Sequence, residues 1–540
     1  MRFRLPSRGP GLLLLSLCCG CPPEKPRDST GPWNRDDSAE DTDCPARTWY
    51  ADADDDGVGA LDDVVEACAP PDGYVTRSGD CDDHDDAVYP DADETCEDGT
   101  DSDCDGEDGV CAAEGSLASA TALLNGHGRK ADAGRHMDVG DLNGDGLDDV
   151  VVGEMWADNY LGGAFVVSAP ITESGAMAEL GVELTGGTGS FEGGRSVGVG
   201  DANGDGYDDV LLGAPDADKY DAVLFFGPVT EEADFSDADV TTWCTPAVEC
   251  GHGSDLGDVN GDGVYDALIG AGEEHTSGDE TGAVYVLFGP LDAESLDLRA
   301  DADAQIAGVD AGSEAGRVVC SGYDIDGDGA HDLLITAGDD TEVGPSGGAI
   351  YVVLSPVTDS LTLDDADGKL LGGGSYSYAG ESLALGDLDG DGHADAVIGA
   401  YGSGGNDGAA VVVTDPAAGK VSLSEGEIIV AGEDAQALGS GVAARDLDGD
   451  GAAELLVGAG ETDGAEKGAG AAYLYLSPLS GSYDPGDAAQ VWTGEGQGDG
   501  AGSGVGFADL SGDGQTDVLV GAPGESTGGN NSGAIYLIAW

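Results

Sequence analysis

The chain has 540 residues, and 108 Asp and Glu against 19 Lys and Arg give it a formal net charge of −89. So acidic a surface repels nucleic acid and other polyanions and lacks the basic patch that phosphate binding needs, which leaves cations, basic protein surfaces and neutral glycans as partners. Self-repulsion on this scale opposes compaction, so the fold is expected to carry bound cations.

Arg2, Arg4 and Arg8 precede an apolar run from Leu12 to Leu17. That run is far too short to cross a bilayer as a helix and has the size of a signal-peptide core. It ends in Cys18-Cys19-Gly20-Cys21, which resembles the lipobox of bacterial lipoproteins. The resemblance implies export and lipidation of Cys21, with Cys19 as the alternative. A lipid would then be the only membrane anchor of an outer-membrane or cell-surface protein; simple secretion is the competing reading. Residues 22–43, rich in Pro, Asp and Ser, read as a disordered tether.

Residues 44–112 read as a separate unit. Cys44, Cys68, Cys81, Cys96, Cys104 and Cys111 give an even count, which in an exported chain means three disulfides, with fifteen pairings open. Between them lie acidic phrases whose candidate metal ligands are Asp52, Asp54, Asp56, Asp80 and Asp82. The arrangement resembles the Cys/Asp-rich metal-binding motif of secreted bacterial proteins. With so few apolar residues, disulfides and ions are expected to hold this unit together. His84, a lone histidine among carboxylates, reads as a surface residue.

From Asp141 to Asp517 the chain repeats a nine-residue phrase seven times, Asp-x-(Asp/Asn/Ser)-Gly-Asp-Gly-x-x-(Asp/Glu), at intervals of 57 to 66 residues. Side-chain oxygens at positions 1, 3 and 5, a carbonyl at 7 and a carboxylate at 9 can wrap one hard cation. Glycines at 4 and 6 supply the left-handed backbone such a loop needs. The candidate ligands are Asp141, Asn143, Asp145, the Leu147 carbonyl and Asp149; Asp201, Asn203, Asp205, Tyr207 and Asp209; and Asp258, Asn260, Asp262, Val264 and Asp266. The fourth and fifth loops offer Asp324, Asp326, Asp328, Ala330 and Asp332, then Asp387, Asp389, Asp391, His393 and Asp395. The last two offer Asp446, Asp448, Asp450, Ala452 and Glu454, then Asp509, Ser511, Asp513, Gln515 and Asp517. An all-oxygen set argues for calcium over a transition metal, and magnesium demands a stricter octahedron.

Directly after each loop comes a short apolar run such as Asp209-Val-Leu-Leu-Gly, then a polar Gly/Asp/Ser loop, then a second run such as Gly282-Ala-Val-Tyr285. These read as short buried strands closed by Gly and Pro turns, with no helical period anywhere. A period near 60 residues with several strands per unit is the mark of radial repetition, so the expected class is all-β, a seven-bladed propeller over residues 113–540. The units resemble the FG-GAP repeat, the blade of the integrin α-subunit propeller, through the metal loop and the Gly-Ala-Pro that follows at Gly213-Ala214-Pro215 and Gly521-Ala522-Pro523; at the Phe-Gly element only Phe191-Glu-Gly comes close. The resemblance implies structural calcium on one rim and ligand binding by loops of the other.

Those opposite loops would be Asp158–Gly162, Asp216–Asp221, Glu273–Thr281, Asp339–Gly347, Tyr401–Asp407, Glu461–Gly468 and Glu525–Ser532, which differ from unit to unit. Strands such as Ala304-Gln-Ile-Ala and Gln490-Val-Trp-Thr are expected at the outer edge of each blade. The chain has none after the last loop, so Ser119–Gly126 is expected to pair with residues 515–540 and close the ring. Cys244 and Cys250 are expected to form a local disulfide and Cys320 to be a buried free thiol.

No G-x-S-x-G elbow, H-E-x-x-H helix or phosphate loop occurs, so the expectation is a monomeric, calcium-bearing binding or adhesion module for a protein or glycan, not an enzyme. The competing reading is a calcium-dependent carbohydrate-active enzyme of lyase type, using a basic residue among Arg129, Lys130, Arg135, Arg195 and Arg317. Against it, Arg135, Arg195 and Arg317 precede their loops by six, six and seven residues, which points to a repeated structural role.

Overall fold

The computed structural model describes residues 47–540 apart from 55–57, 61–63, 68, 72, 82–83, 85–87, 89–112, 128–129, 158–161, 187–191, 216–219, 245–249, 276–279, 293, 427, 433–435, 463–465 and 530. Cys21, the tether, Cys44, Cys68, Cys96, Cys104, Cys111, Asp56, Asp82, Arg129 and Phe191 lie outside the described residues. The chain divides into two units, Met1–Thr95 with Gly99–Asp108, and Cys96–Asp98 with Gly109–Trp540.

In the first unit, Arg47–Ala51 pairs antiparallel with Val64–Ala67 on one side and Tyr74–Val75 on the other, and Val58–Ala60 pairs with Arg77–Asp80. Trp49 Nε1 donates to the Ala67 carbonyl at 3.0 Å. Gly59 has no alternative, because a Cβ there would lie 2.4 Å from the Ala51 carbonyl oxygen. Cys81 is disulfide-bonded.

The second unit is built of five-stranded sheets, seven among the described residues. One of them shows the plan. Val197–Gly200 leads into the loop from Asp201, and Asp209–Gly213, Ala222–Phe225 and Val240–Trp243 continue an antiparallel meander. Glu294–Asp297, from the next repeat, then adds in parallel outside Val240–Trp243. The second and third strands are buried throughout because each sheet is covered on both faces. Alternation divides their side chains between neighbours: Val150 and Val152 pack with Leu519 and Ile535, whereas Val151 packs with Val210 and Leu212.

The expected outer edges need correction. Ala304–Ala307 and Gln490–Thr493 are the fourth strands of their sheets, and outside them lie Leu361–Thr362 and Ala113–Ser116. The physical reason is that an exposed edge is covered by a short parallel strand from the repeat that follows it around the ring; for the sixth sheet that strand comes from the N-terminal segment, Ala113–Ser116. In the fourth repeat an extra residue precedes the loop, with Gly322 at φ 103 and a register irregularity between Ala315 and Val319.

Contacts between first strands run from each sheet to the next, and Gly504–Ala508 of the last meets Met137–Gly140 of the first. The ring therefore closes. Ala122–Asn125 pairs with Ala534–Leu537, so the expected N-terminal strand completes the last sheet. At the seam two glycine backbones press together: a Cβ on Gly521 would sit 1.7 Å from the Gly134 carbonyl oxygen.

Candidate metal centres

Each loop is shaped by its first aspartate. Asp201 Oδ1 accepts N–H bonds from Gly204 at 2.7 Å and Asp205 at 3.1 Å, and Oδ2 accepts from Gly206 at 2.9 Å. A side chain collecting three successive amides forces the chain into a tight coil. Position 6 needs glycine for its backbone alone: Gly206 sits at φ 94 with no atom within 4 Å of where a Cβ would be. The position-5 carboxylate accepts from the N–H two residues on, as Asp205 does from Tyr207 at 3.0 Å.

Position 9 begins the next strand, or in the fourth repeat immediately precedes it, and is buried: Asp149, Asp209, Asp266, Asp332, Asp395 and Glu454 are 0% exposed. One oxygen of Asp209 accepts from Ala202 and Asn203, at 2.9 and 3.1 Å, and the other from Gly227 at 2.8 Å. Burial raises the pKa to about 6 for Asp149 and Asp332 and to about 7 for Asp209, Asp266 and Asp395. A carboxylate that is costly to charge and faces other carboxylates is one a cation would relieve.

Positions 1, 3 and 9 come together. Ligand oxygens of Asp324, Asp326 and Asp332, of Asp387, Asp389 and Asp395, and of Asp446, Asp448 and Glu454 lie within 4.8 Å of one another. The position-5 aspartates are not in these groups. In the first and third loops the carboxamide of Asn143 or Asn260 instead donates to Asp149 or Asp266. Asp221 also groups with Cys244 and Cys250, but those two are joined in the expected disulfide, with Cα atoms 6.3 Å apart, and offer no thiolate.

The fifth loop supplies a sharper test of whether a cation fits. In five repeats the residue before a proline donates its N–H to position 9: Ala169 to Asp149, Gly227 to Asp209, Gly289 to Asp266, Ser355 to Asp332 and Ser477 to Glu454. Asp395 Oδ1 and Asp517 Oδ1 have no hydrogen-bond partner although they are buried. Leaving a buried charged oxygen unmatched is expensive, and a cation held with Asp387 and Asp389 would match that of Asp395.

The loops share a rim, since position 8 of one touches position 1 of the preceding one: Asp208 N donates to the Asp141 carbonyl at 3.2 Å, Tyr265 N to that of Asp201 at 3.0 Å and His331 N to that of Asp258 at 2.8 Å. At the other end of the first strands, Arg135, Arg195 and Arg317 pair with Asp132, Glu192 and Glu314 three residues earlier, at 2.8, 2.9 and 3.1 Å. Cys320 is a free thiol, half-buried rather than fully buried, and desolvation pushes its pKa up. It ends the first strand of the fourth repeat, paired with Leu334, and that strand, whose register shifts between Ala315 and Val319, is fully buried at only some of its positions.

In the first unit, Asp52 N donates to the Gly73 carbonyl at 3.0 Å, and Asp80 ends the strand Arg77–Asp80. Asp54 lies in a bend just after the strand Arg47–Ala51.

Sequence reasoning missed Asp138 and Asp255. Each stands three residues before its loop, where other repeats place Gly198, Ala384, Ala443 and Gly506. Asp138 Oδ2 accepts from Val199 N at 2.8 Å and Asp255 Oδ2 from Ser321 N at 2.6 Å, tying adjacent first strands together. The available signal was an acid at an otherwise small-residue position. Burial first, then the neighbouring carboxylate of Asp255, raises Asp138 to about 8, and burial raises Asp255 to about 6.

Because both folded pKa values lie above the unfolded one, the stability they contribute is complete below about pH 4 and is lost as pH rises through about 6 and then about 8. Asp138→Asn is therefore expected to raise the melting temperature at pH 8.5, by about 1–3 kcal/mol in stability, and to leave it nearly unchanged below about pH 4. Melts of the two proteins across that range check this.

Six stretches match the FG-GAP repeat pattern, residues 133–168, 193–227, 251–287, 379–413, 438–475 and 501–538. The ring is an FG-GAP repeat propeller. The unmatched repeat, around Asp324, is the one with the extra residue before its loop. Residues 80–108 match the metal-binding motif named Cu-binding MopE. No curated relative matches the chain. FG-GAP repeats and metal-binding motif together make this a metal-binding, integrin-like binding module.

Proposed function

We propose that the chain is an exported, lipid-anchored surface protein whose FG-GAP propeller carries calcium in its loops and presents the opposite rim to a protein or glycan. The observation that carries the calcium reading is the partnerless, buried Asp395 Oδ1 beside Asp387 and Asp389. In every loop an all-oxygen donor set of this kind suits a hard cation that tolerates irregular coordination. Bound calcium would neutralise the loop carboxylates and lock each first strand to the next. It supplies no chemistry beyond that.

Binding rather than catalysis is supported by the pairing of Arg135, Arg195 and Arg317, which fixes the guanidiniums in ion pairs repeated from unit to unit. A polyanionic substrate would also meet a chain of charge −89. The chain is proposed to work as a monomer, because the edge strands of the sheets are covered from within.

Calcium titration of the metal-stripped protein tests the reading and is expected to resolve two classes. The fifth and seventh loops gain a partner for a bare oxygen and should fill first; the others, whose position-9 oxygens already hold N–H donors, should fill later. Asp395→Asn should remove a tight site, and Asp209→Asn a weaker one. A single uniform class would contradict the ranking, and no calcium uptake would contradict the function.

A further inference from the structure

The proposed recognition rim is uneven in one place. In the fifth repeat the segment before the first strand reads Gly372-Gly-Gly-Ser-Tyr376-Ser-Tyr378-Ala-Gly380, and Tyr401 follows Ala400, where the corresponding position elsewhere holds Met155, Pro215, Gly272, Gly338, Gly460 or Pro523, none of them aromatic. The two departures meet: the rings of Tyr378 and Tyr401 stack at 5.2 Å, 4° from parallel. Tyr376 is 56% exposed, the most exposed large hydrophobic side chain among the described residues.

The backbone here is held in an unusual form. Tyr378 at φ 50 shares the left-handed conformation that Asp132, Glu192, Glu314 and Ala437 adopt at the equivalent point, so its φ belongs to the repeat. Tyr376 at φ 60 matches Lys130 at φ 61, Gly312 at φ 72 and Gly498 at φ 75 at the equivalent point, but among the described residues only here does an aromatic residue take that conformation. A bulky residue persists there only where its surroundings over-determine it. They do: Tyr376 N donates to the Pro345 carbonyl at 2.8 Å, Tyr378 N to Ser346 at 3.2 Å, and Gly402 N to Ser377 at 3.1 Å. The backbone that carries the tyrosines is thus tied down, and the Tyr378 and Tyr401 rings stacked, before any ligand arrives, which lowers the ordering cost of binding.

Ser375, Ser377 and Ala400, neighbours in sequence of the three tyrosines, line a cavity of about 240 Å³. Val411, Leu423 and Ile429 also line it, with Ser403 and Ser424. None of the described residues that line it is charged, in a chain where one residue in five is Asp or Glu. The other cavity near this rim, of about 380 Å³, is lined by Lys369, Lys420, Asp310 and Glu342, and those charges are already paired with one another.

We infer that the Tyr376–Tyr378–Tyr401 platform and the adjoining serine-lined cavity form a binding site for a neutral, hexose-type saccharide. A pyranose has one face of C–H groups, which suits an aromatic ring or an aliphatic floor, and a rim of hydroxyls, which suits serines. A basic peptide would favour a cavity with carboxylates, and an acidic glycan would be repelled by the chain. The inference rests on reading the opposite-rim loops as the recognition surface.

The test is calorimetric titration of the calcium-loaded full chain with maltohexaose, cellohexaose and mannohexaose, with melts in calcium and in chelator on the same samples. At least one oligosaccharide is expected to bind, about tenfold more weakly after Tyr376→Ala or Tyr378→Ala, and not at all after Ser424→Trp, which fills the cavity from an exposed position. Tyr376→Ala should leave the melt unchanged, since its ring is largely in solvent. Absence of binding to all three sugars, or binding that the variants do not weaken, overturns the site, as does binding confined to a basic peptide tested alongside. If the sugars fail while calcium still raises the melt, only this inference falls; a melt indifferent to calcium overturns the underlying function instead.

Discussion

Stripping divalent metal from the full chain with excess chelator is expected to lower its melting temperature by well over ten degrees, or to abolish a cooperative melt at room temperature. A site with calcium at one hundred times its dissociation constant adds about 2.7 kcal/mol to the folded state. Seven independent sites would add up to about 19 kcal/mol by the same relation, more than the whole stability of an ordinary domain. The mechanism is electrostatic. Without a cation, carboxylates such as Asp387, Asp389 and Asp395 crowd within 4.8 Å, and one of them has an oxygen that nothing in the protein matches. Differential scanning calorimetry with and without calcium measures the effect. Unchanged melts would mean that the loops are held by their internal hydrogen bonds alone.

Deleting residues 113–126 is expected to be nearly as damaging, by a different route. That segment supplies the fifth strand of the sixth sheet and the fourth strand of the last. It buries Leu117 and Leu124 almost completely, worth about 3 kcal/mol each, and its loss would bare the edge of Ala534–Ile538, where Leu537 and Tyr536 are core residues. An uncovered edge of that kind is a template for another chain. The truncated protein should therefore melt much lower in saturating calcium and self-associate in size-exclusion chromatography. A monomer with an unchanged melt would show that ring closure contributes little.

Much of this was legible in the sequence because the repeat writes its chemistry locally. The loop residues lie within nine positions, and Asp201 and Gly206 meet their geometric demands through neighbours a few residues away. The strand that follows, Asp209–Gly213, is apolar at every position after its first because both faces are covered. Closure was legible for a topological reason, the last repeat lacking a strand that Ser119–Gly126 could supply.

What was not legible depends on contacts between repeats. The short parallel strands such as Leu361–Thr362 have only two residues and no pattern of their own. Asp138 and Asp255 look like two more acids in an acidic chain until their partners, Val199 and Ser321, appear from the next sheet. The bare oxygens of Asp395 and Asp517 become visible only when the donors present in five other repeats are seen to be missing. The stacking of Tyr378 on Tyr401 joins loops that the sequence merely marks as irregular.

The most direct measurement of the central claim is the metal content of the purified full chain, by elemental analysis after exhaustive dialysis against calcium-free buffer and again after calcium is restored. The account predicts about seven calcium ions per chain from the seven loops, beyond any held by residues 44–112, with the fifth and seventh loops the last to be emptied, and loss of one ion on Asp387→Ala. A chain that holds no calcium under either condition, or whose calcium is untouched by that substitution, would contradict it.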